Sequence, residues 1–198
     1  DEGSLFLDGE SYTPGNPLHA REQGVAMIYQ ELSLAPHLSV MENILLGIEP
    51  TSRGLIRWDE MKKRATTALS AVGLEDLAPE TPVHRLSIAH QQLIEIARAV
   101  ALDCRVLVLD EPTSSLAAKD IQKLFALVRN LAGKGIAVIY ISHFLEEVQA
   151  LSQRYTVLRD GETVGSGQTA EASEEAIIAL MVGRNVEDLY PRNQRTPG

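Results

Sequence analysis

The chain has 198 residues, 44% of them hydrophobic and 23% charged, which suits one globular α/β domain or one domain with a subdomain. Its formal net charge of -9 argues against a general affinity for nucleic acid or anionic lipid, because either would need a positive surface. No apolar run approaches the ~18 residues of a transmembrane helix, and no signal-peptide pattern opens the chain.

Short strands and a capped helix are predicted in the first quarter of the chain. Residues 4–7 alternate in polarity and end at Asp8-Gly9, which is typical of a hairpin turn. A second strand is predicted at residues 25–29. Ser39 is suited to be a helix N-cap and Glu42 occupies the capping-box position, so a helix is expected to begin there.

The remaining elements are predicted from hydrophobic periodicity, continuous apolar runs and turn residues. In chain order they are a helix at 59–72 ended by Gly73, a helix at 89–101, a strand at 106–110, a helix at 119–131 stopped by Gly133, a strand at 136–141, a helix through about residue 151, a hairpin of 155–159 and 162–164 joined by Asp160-Gly161, and a helix capped by Ser173 that runs to about residue 182. The order of strand, helix and strand implies parallel pairing with a right-handed crossover.

The single cysteine, Cys104, cannot form a disulfide within the chain, which fits a reducing compartment. It stands just before a predicted core strand. That position favours a small buried hydrophobic residue over a nucleophile.

The run VLVLDEPT at 106–113 is the most informative stretch, because four apolar residues lead directly into two carboxylates. Such a run predicts a strand buried on both faces, with Asp110 and Glu111 at its carboxyl end, where open α/β sheets place their chemistry. Asp110 can hold Mg²⁺ through water, and Glu111 can orient or deprotonate a water that attacks a phosphate. The alternative is an acidic turn that caps a core strand.

Three predicted strands end in polar side chains that suit a nucleotide site. Gln30 follows the strand at 25–29, the acid pair Asp110 and Glu111 follows the second, and His143 follows the third. Alone, Gln30 is typical of a surface residue and His143 of a helix cap. If the strands are parallel, the side chains converge on one sheet edge and can bind a metal, a water and the terminal phosphate.

Ser87 stands at the start of the helix predicted at 89–101, in LSIAHQQLIEIARAV. A helix start can offer a hydroxyl, backbone N–H groups and a positive dipole end to a phosphate. The alternative is an ordinary N-cap on a core helix.

Four motifs in this order resemble the nucleotide-binding subunit of ABC transporters. They are YQE at 29–31, LSIAHQQ at 86–92, VLVLDEPTSSL at 106–116 and SHFLEEV at 142–148, which correspond to the glutamine loop, the signature motif, the Walker B strand with the D-loop, and the switch histidine. The QQ-hydrophobic-EIARA run and MVGRNVEDLYPR at 181–192 resemble the sugar-importing branch, and in particular the first of its two tandem cassettes.

The resemblance implies an α/β fold: a P-loop NTPase-like ABC ATPase core with a mostly parallel sheet, plus an α-helical subdomain. The implied division has four parts. They are a core remnant at 1–31 ending in the glutamine loop, the helical subdomain with the signature at 32–98, the core with Walker B, D-loop and switch histidine at 99–170, and a C-terminal helix and linker at 171–198.

By this resemblance the cofactors are ATP and Mg²⁺, and each motif residue receives a role. Glu111, His143 and Gln30 are the implied catalytic residues, and Asp110 and Gln30 the implied metal ligands. The residues implied to contact ATP are Ser87, Ala89, Gln91 and Ser115.

The implied function is that of an ABC importer subunit, which couples MgATP hydrolysis to uptake of a monosaccharide. The implied partners are a second ATPase cassette, transmembrane permease subunits and, indirectly, an external sugar-binding protein, with no nucleic acid. The implied location is peripheral, at the cytoplasmic face of the plasma membrane. The helical middle, and mainly the segment just after Gln30, is expected to contact the permease.

Three positions depart from the family pattern: Ala89 replaces a usual glycine, His90 a usual glutamine, and Ala117 a frequent aspartate. The phosphate-binding pattern G-x-x-x-x-G-K-[ST] does not occur in these residues, so the chain is expected to be truncated before residue 1 and inactive by itself. Two alternatives remain: a non-catalytic interaction or regulatory domain, and a soluble ABC-type ATPase that is not involved in transport.

Overall fold

The computed structural model describes residues 3–183, so most of the run at 181–192 lies outside the described residues. The chain divides into two compact units, residues 1–141 and residues 142–198. The division predicted at residues 31, 98 and 170 stays a prediction.

The first unit begins with a hairpin of β1 (Phe6–Leu7) and β2 (Glu10–Ser11). The connecting residues Asp8 and Gly9 have φ angles of 53° and 83°, the left-handed pair that a type I′ turn requires. The predicted hairpin turn is confirmed. Helix α1 (Pro17–Glu22) and strand β3 (Val25–Ile28) follow.

Helix α1 was missed by the sequence prediction, although its start carries the expected signals. Asn16 is the N-cap and its side chain accepts a hydrogen bond from the His19 amide at 2.8 Å. Pro17 occupies the first helical position, where its missing N–H costs nothing. At 6 residues the helix is too short to give a clear apolar period.

A helical region lies between β3 and the next strand of the sheet. It consists of α2 (Val40–Ile44), a hairpin of β4 (Thr51–Ser52) and β5 (Leu55–Ile56), α3 (Trp58–Ala71), a 3₁₀ turn (Val83–Arg85) and α4 (Ile88–Ala101). Its fully buried side chains include Ile44, Leu45, Met61, Leu69, Ile94 and Ile96. The predicted capping box of Ser39 and Glu42 is present at the start of α2.

The central sheet is completed by β6 (Val106–Asp110) and β7 (Ala137–Ile141), which are joined by α5 (Ala118–Gly133). The three strands are parallel in the order β3, β6, β7. Ile28 lies opposite Leu109, and Asp110 lies opposite Ile141. The predicted parallel pairing is therefore confirmed.

Burial in this sheet differs between its two faces. Leu107 and Leu109 of β6 are fully buried, whereas Val106 and Val108 on its opposite face are only half-buried, and the residues paired with Val108, Met27 and Ile139, are 42% and 53% exposed. The prediction that the strand at 106–110 is buried on both faces is therefore wrong for the described residues. An apolar run specifies a strand, but the burial of each face depends on what packs against it.

The end of α5 also differs from the prediction. Gly133 was expected to stop the helix, yet it is the last helical residue. The chain turns instead at Gly135, whose φ of 94° is in the left-handed region that favours glycine. Two nearby glycines gave the same sequence signal, and only the second adopts the terminating conformation.

The second unit contains α6 (Leu145–Leu151), a hairpin of β8 (Arg154–Arg159) and β9 (Glu162–Gln168), a 3₁₀ turn (Thr169–Glu171) and α7 (Glu174–Val182). The predicted turn at Asp160-Gly161 has φ angles of 53° and 83°. Ser173 caps α7 as predicted, and Arg159 donates a hydrogen bond to the Leu180 carbonyl at 2.8 Å. Among residues 3–183, no helix combines the length and the apolar character that crossing a membrane requires.

Cys104 is 6% exposed, and burial raises the pKa of its thiol to about 11. Because the thiolate is the reactive form, we expect Cys104 to react with a disulfide reagent at pH 8 about 100-fold more slowly in the folded protein than in urea. Absorbance of the released thiolate measures both rates. Equal rates in the two conditions would contradict the buried placement.

Candidate nucleotide site at the carboxyl edge of the sheet

Gln30 and Glu111 lie together at the carboxyl edge of the parallel sheet. Ile28 and Leu109 are paired near the ends of the two strands, and Gln30 and Glu111 each follow their member of this pair by two positions. The Gln30 Nε2 atom donates a hydrogen bond to Glu111 Oε2 at 3.4 Å, across 81 residues of sequence. The structure thus brings together two of the side chains that were expected to converge.

Glu111 has an unusual backbone conformation, with φ of 44°. The left-handed region costs a residue other than glycine about 1–2 kcal/mol, so the surroundings must hold it. The Glu111 amide donates to the Ile141 carbonyl at 3.0 Å, and the Glu111 carbonyl accepts from the Ser114 amide at 3.2 Å. Pro112 and Thr113 are buried. The side chain of Glu111 is therefore presented by a constrained turn.

Asp110 is the last residue of β6 and is half-buried. Asp110, Glu111 and Gln30 all carry side-chain oxygen atoms, the ligand type that Mg²⁺ prefers. Among residues 3–183, no group of three or more His, Cys, Asp or Glu side chains could hold a metal ion. Mg²⁺ usually keeps several waters and takes one or two carboxylates beside substrate phosphates, so this sparse donor set suits it.

His143 belongs to the second unit and follows Ile141, the last residue of β7, by two positions. Its ring lies against Phe144 with a centroid distance of 4.0 Å. The Ser142 hydroxyl donates to Glu147 Oε2 at 2.6 Å and accepts from the Phe144 amide at 3.0 Å, which orders this turn. The expected meeting of His143 with Gln30 and Glu111 stays a prediction.

Ser87 is the N-cap of α4, as one of the two sequence interpretations required. Its hydroxyl accepts from the His90 amide at 3.3 Å and lies 2.7 Å from Nδ1 of the His90 ring. Both side chains are exposed. The exposed start of α4 carries the positive end of the helix dipole, which is compatible with binding of an anion. Contact between Ser87 and a phosphate stays a prediction.

The other residues predicted to contact ATP occupy different environments. Gln91 donates its side-chain amide to the Leu86 carbonyl at 2.9 Å and so supports the backbone before α4. Ala89 is half-buried, and Ser115 is exposed in the turn between β6 and α5. Their contact with a nucleotide stays a prediction.

Asn43 on α2 is a structural residue of the site that the sequence prediction missed. It is fully buried, accepts a hydrogen bond from the Ala35 amide at 2.7 Å, and donates to the carbonyls of Ala35 and Ser39 at 3.0 Å each. It thereby fixes the segment that follows Gln30. The sequence signal that could have identified Asn43 is its side-chain amide on the apolar face of the short helix α2.

Glu95 on α4 is a second missed residue. It is 3% exposed, and its Oε1 atom accepts from the Ser33 amide at 2.6 Å and from the Ser33 hydroxyl at 2.9 Å. Its signal was a carboxylate inside the apolar sequence LIEIA. Buried carboxylates are rare unless they are hydrogen-bonded, so a buried glutamate at this position requires a hydrogen-bond donor.

Residues 1–114, which include Gln30, Ser87, Asp110 and Glu111, match the family model described as ABC transporter. This chain belongs to the ABC transporter family. The ABC ATPase fold class predicted from the motifs is confirmed by structures of the same class. MJ1267, an ATP-binding cassette of an ABC transporter, has a TM-score of 0.78 at 23% identity and covers 92% of this chain and 76% of its own.

A dimeric ATP-binding cassette, MJ0796 in a post-hydrolysis state bound to ADP and Pi, has a TM-score of 0.69 at 26% identity over 85% of this chain and 74% of its own.

Curated relatives of this ABC chain carry sugar-import names. "Ribose import ATP-binding protein RbsA 3" of Rubrobacter xylanophilus is 45% identical over 99% of this chain, which spans 39% of that protein. "Xylose import ATP-binding protein XylG" of Moorella thermoacetica is 43% identical over 100% of this chain, which spans 39% of that protein.

We expect Asn43→Ala to lower the free energy of unfolding by about 2–3 kcal/mol, because it leaves buried backbone groups near Ala35 without partners. Urea denaturation monitored by circular dichroism measures the change. Asn130→Ala, the same substitution at an exposed position of α5, is the control and should change stability by less than about 0.5 kcal/mol. Equal losses in both variants would remove Asn43 from its assigned role.

Proposed function

We propose that the chain works as part of an ATP-hydrolysing subunit of a sugar importer. The observation that carries the proposal is the hydrogen bond from Gln30 to Glu111 beside Asp110, at the carboxyl edge of a parallel sheet in an ABC-family chain. Sheet edges of this kind are where α/β folds bind nucleotides. The sugar-import names of relatives that are 40% to 46% identical support the transported class.

The proposed chemistry assigns the attack on the γ-phosphate to water held by Glu111. The Glu111 carboxylate accepts a hydrogen bond from that water and takes its proton as the new bond to the γ-phosphorus forms, while the bond from that phosphorus to the bridging oxygen breaks and ADP leaves. Gln30 fixes the carboxylate through its Nε2 atom, which leaves its amide oxygen for a metal or a water. His143 donates to the oxygens of the transferring group.

Asp110 is the proposed anchor for Mg²⁺, with Gln30 as a further ligand. When bound, Mg²⁺ neutralises charge that develops on the β and γ phosphates. The two side chains supply oxygen atoms only, which suits a hard cation that keeps part of its water shell.

A second cassette is the proposed partner for completing the nucleotide site. Ser87, Ala89 and Gln91 at the start of α4, together with Ser115, would face ATP held by that cassette. The similarity to a dimeric cassette bound to ADP and Pi supports this arrangement. The helix N-terminus offers backbone N–H groups to a phosphate, while the hydroxyl of Ser87 is shared with His90.

The proposed mechanical output is a movement of the helical region, residues 32–98, against transmembrane permease subunits. The segment after Gln30 is the proposed contact, since it connects the sheet edge to this region. The subunit would then act as a peripheral protein at the cytoplasmic face of the plasma membrane. A sugar-binding protein outside the membrane would interact with it only through the permease.

A monosaccharide is the proposed cargo. Relatives of the chain are named for import of ribose and xylose and for transport of galactofuranose, and all of these are single sugars. Recognition of the particular sugar would depend on the permease and the binding protein.

We expect Glu111→Gln in the complete protein to lower kcat for ATP hydrolysis at least about 100-fold, because the amide cannot accept the proton of the attacking water. The Kd for MgATP should change by less than about threefold, since ground-state binding does not use that proton transfer. Phosphate release and equilibrium nucleotide binding measure the two effects.

The control for this substitution is Glu10→Gln, which makes the same chemical change at an exposed position of β2. It should leave both constants unchanged. Normal hydrolysis by Glu111→Gln would rule out the proposed base.

We expect ATP hydrolysis by the complete protein to be stimulated by reconstitution with its permease, and again by addition of a transported sugar with its binding protein. Proteoliposomes loaded with MgATP and supplied with labelled ribose or xylose measure uptake and hydrolysis together. ATP hydrolysis that responds to RNA or DNA and ignores the permease would favour a soluble ATPase. A complete protein that fails to bind MgATP would favour a non-catalytic role.

A further inference from the structure

Glu95 and Ser33 form a partly buried contact that the proposed chemistry does not use. A single oxygen of Glu95 accepts both the amide and the hydroxyl of Ser33, at 2.6 Å and 2.9 Å. Glu95 is 3% exposed, whereas Ser33 lies at the surface. A carboxylate buried without such donors would be strongly destabilising, so the contact fixes where the Ser33 backbone can lie.

The contact joins the two predicted nucleotide-facing parts of the first unit. Ser33 follows Gln30 by three residues, and Glu95 lies on α4, eight residues after its N-cap Ser87. Eight residues of α-helix span about 12 Å and behave as a stiff rod. A displacement of Gln30 would therefore be passed by a short chain segment to Glu95, and by α4 to Ser87.

The segment after Ser33 is held as well. Asn43 of α2 binds both backbone groups of Ala35, and the amides of Val83 and His84 donate to the Leu38 and Pro36 carbonyls at 3.0 Å each. Among the hydrogen bonds of the described residues, the Ser33 contact is thus the first one after Gln30 that ties the chain to α4.

Arg98, one turn after Glu95 on α4, adds an electrostatic contribution. Burial and repulsion from Arg21 lower the pKa of Arg98, and attraction to Glu95 opposes that shift. The Glu95 carboxylate is therefore near a partly buried positive charge. Charge-assisted hydrogen bonds are about twice as strong as neutral ones. The Glu95 carboxylate therefore holds Ser33 more strongly than a side-chain amide at the same position would.

We propose that Glu95 is a positioning residue: by accepting both Ser33 hydrogen bonds, it makes Gln30 and the Ser87 end of α4 move as one body when nucleotide binds. The inference rests on the proposed function, because it needs ATP hydrolysis to be observed. It adds a specific side-chain link between the metal-side glutamine and the helix start.

The test uses the complete protein reconstituted with its permease, with five variants compared by kcat and KM for ATP. Glu95→Ala removes the acceptor, and we expect it to lower kcat at least about tenfold with KM within about twofold, since hydrogen bonds to charged groups are worth a factor of that size. Glu95→Gln keeps one acceptor oxygen and should recover kcat to within about threefold of the wild type.

Ser33→Ala keeps the backbone N–H donor and should lower kcat about threefold. In the Glu95→Ala background the same Ser33 substitution should have no further effect, because its partner is already gone. Ile96→Val, a methyl deletion at a fully buried neighbour on α4, is the control for a loss of packing. It should lower Tm slightly and leave kcat per folded protein unchanged.

The outcomes distinguish a failure of the proposed function from a failure of the positioning role of Glu95. No ATP hydrolysis by the wild type would overturn the proposed function and this inference together. An active wild type with Glu95→Ala at normal kcat per folded protein would overturn only the positioning role. The positioning role would also be overturned if the fold loss of kcat in the double variant equalled the product of the losses in Ser33→Ala and Glu95→Ala. That result would show that the two residues act separately.

Discussion

The parallel pairing of β3 with β6 is the constraint on which the candidate site depends. It places Ile28 opposite Leu109, so Gln30 and Glu111 leave the sheet side by side although 81 residues separate them. A register slip of one residue would turn every side chain of the strand to the other face. The left-handed turn at Glu111 is held by a hydrogen bond to β7, which makes the third strand part of the same arrangement.

Much of the fold could be predicted from the sequence, because hydrophobic period and turn chemistry act locally. The hairpin turns at Asp8 and Asp160 were predicted since aspartate before glycine tolerates positive φ. The hairpin of β4 and β5 was not, because Arg53, with φ of 52°, occupies the same turn position without that preference. Burial of each sheet face was also misjudged, since it depends on packing partners that a strand's own sequence does not encode.

The candidate site was predicted through a topological rule. Parallel strands share a carboxyl edge, and this rule brought Gln30 and Glu111 together without any pairwise signal between them. Asn43 and Glu95 were missed for the opposite reason. Each is a polar residue on a largely apolar helix face, and sequence alone does not distinguish an interruption of that face from a buried group that holds a loop. These buried contacts connect the sheet edge to the helical region.

The most direct test of the central claim is a structure of the complete protein with Mg²⁺ and a non-hydrolysable ATP analogue. We expect Gln30 and Asp110 to contact the metal or its waters, and Glu111 to lie within hydrogen-bond distance of a water facing the γ-phosphate. A nucleotide bound away from the carboxyl ends of β3 and β6, with these three side chains in solvent, would contradict it.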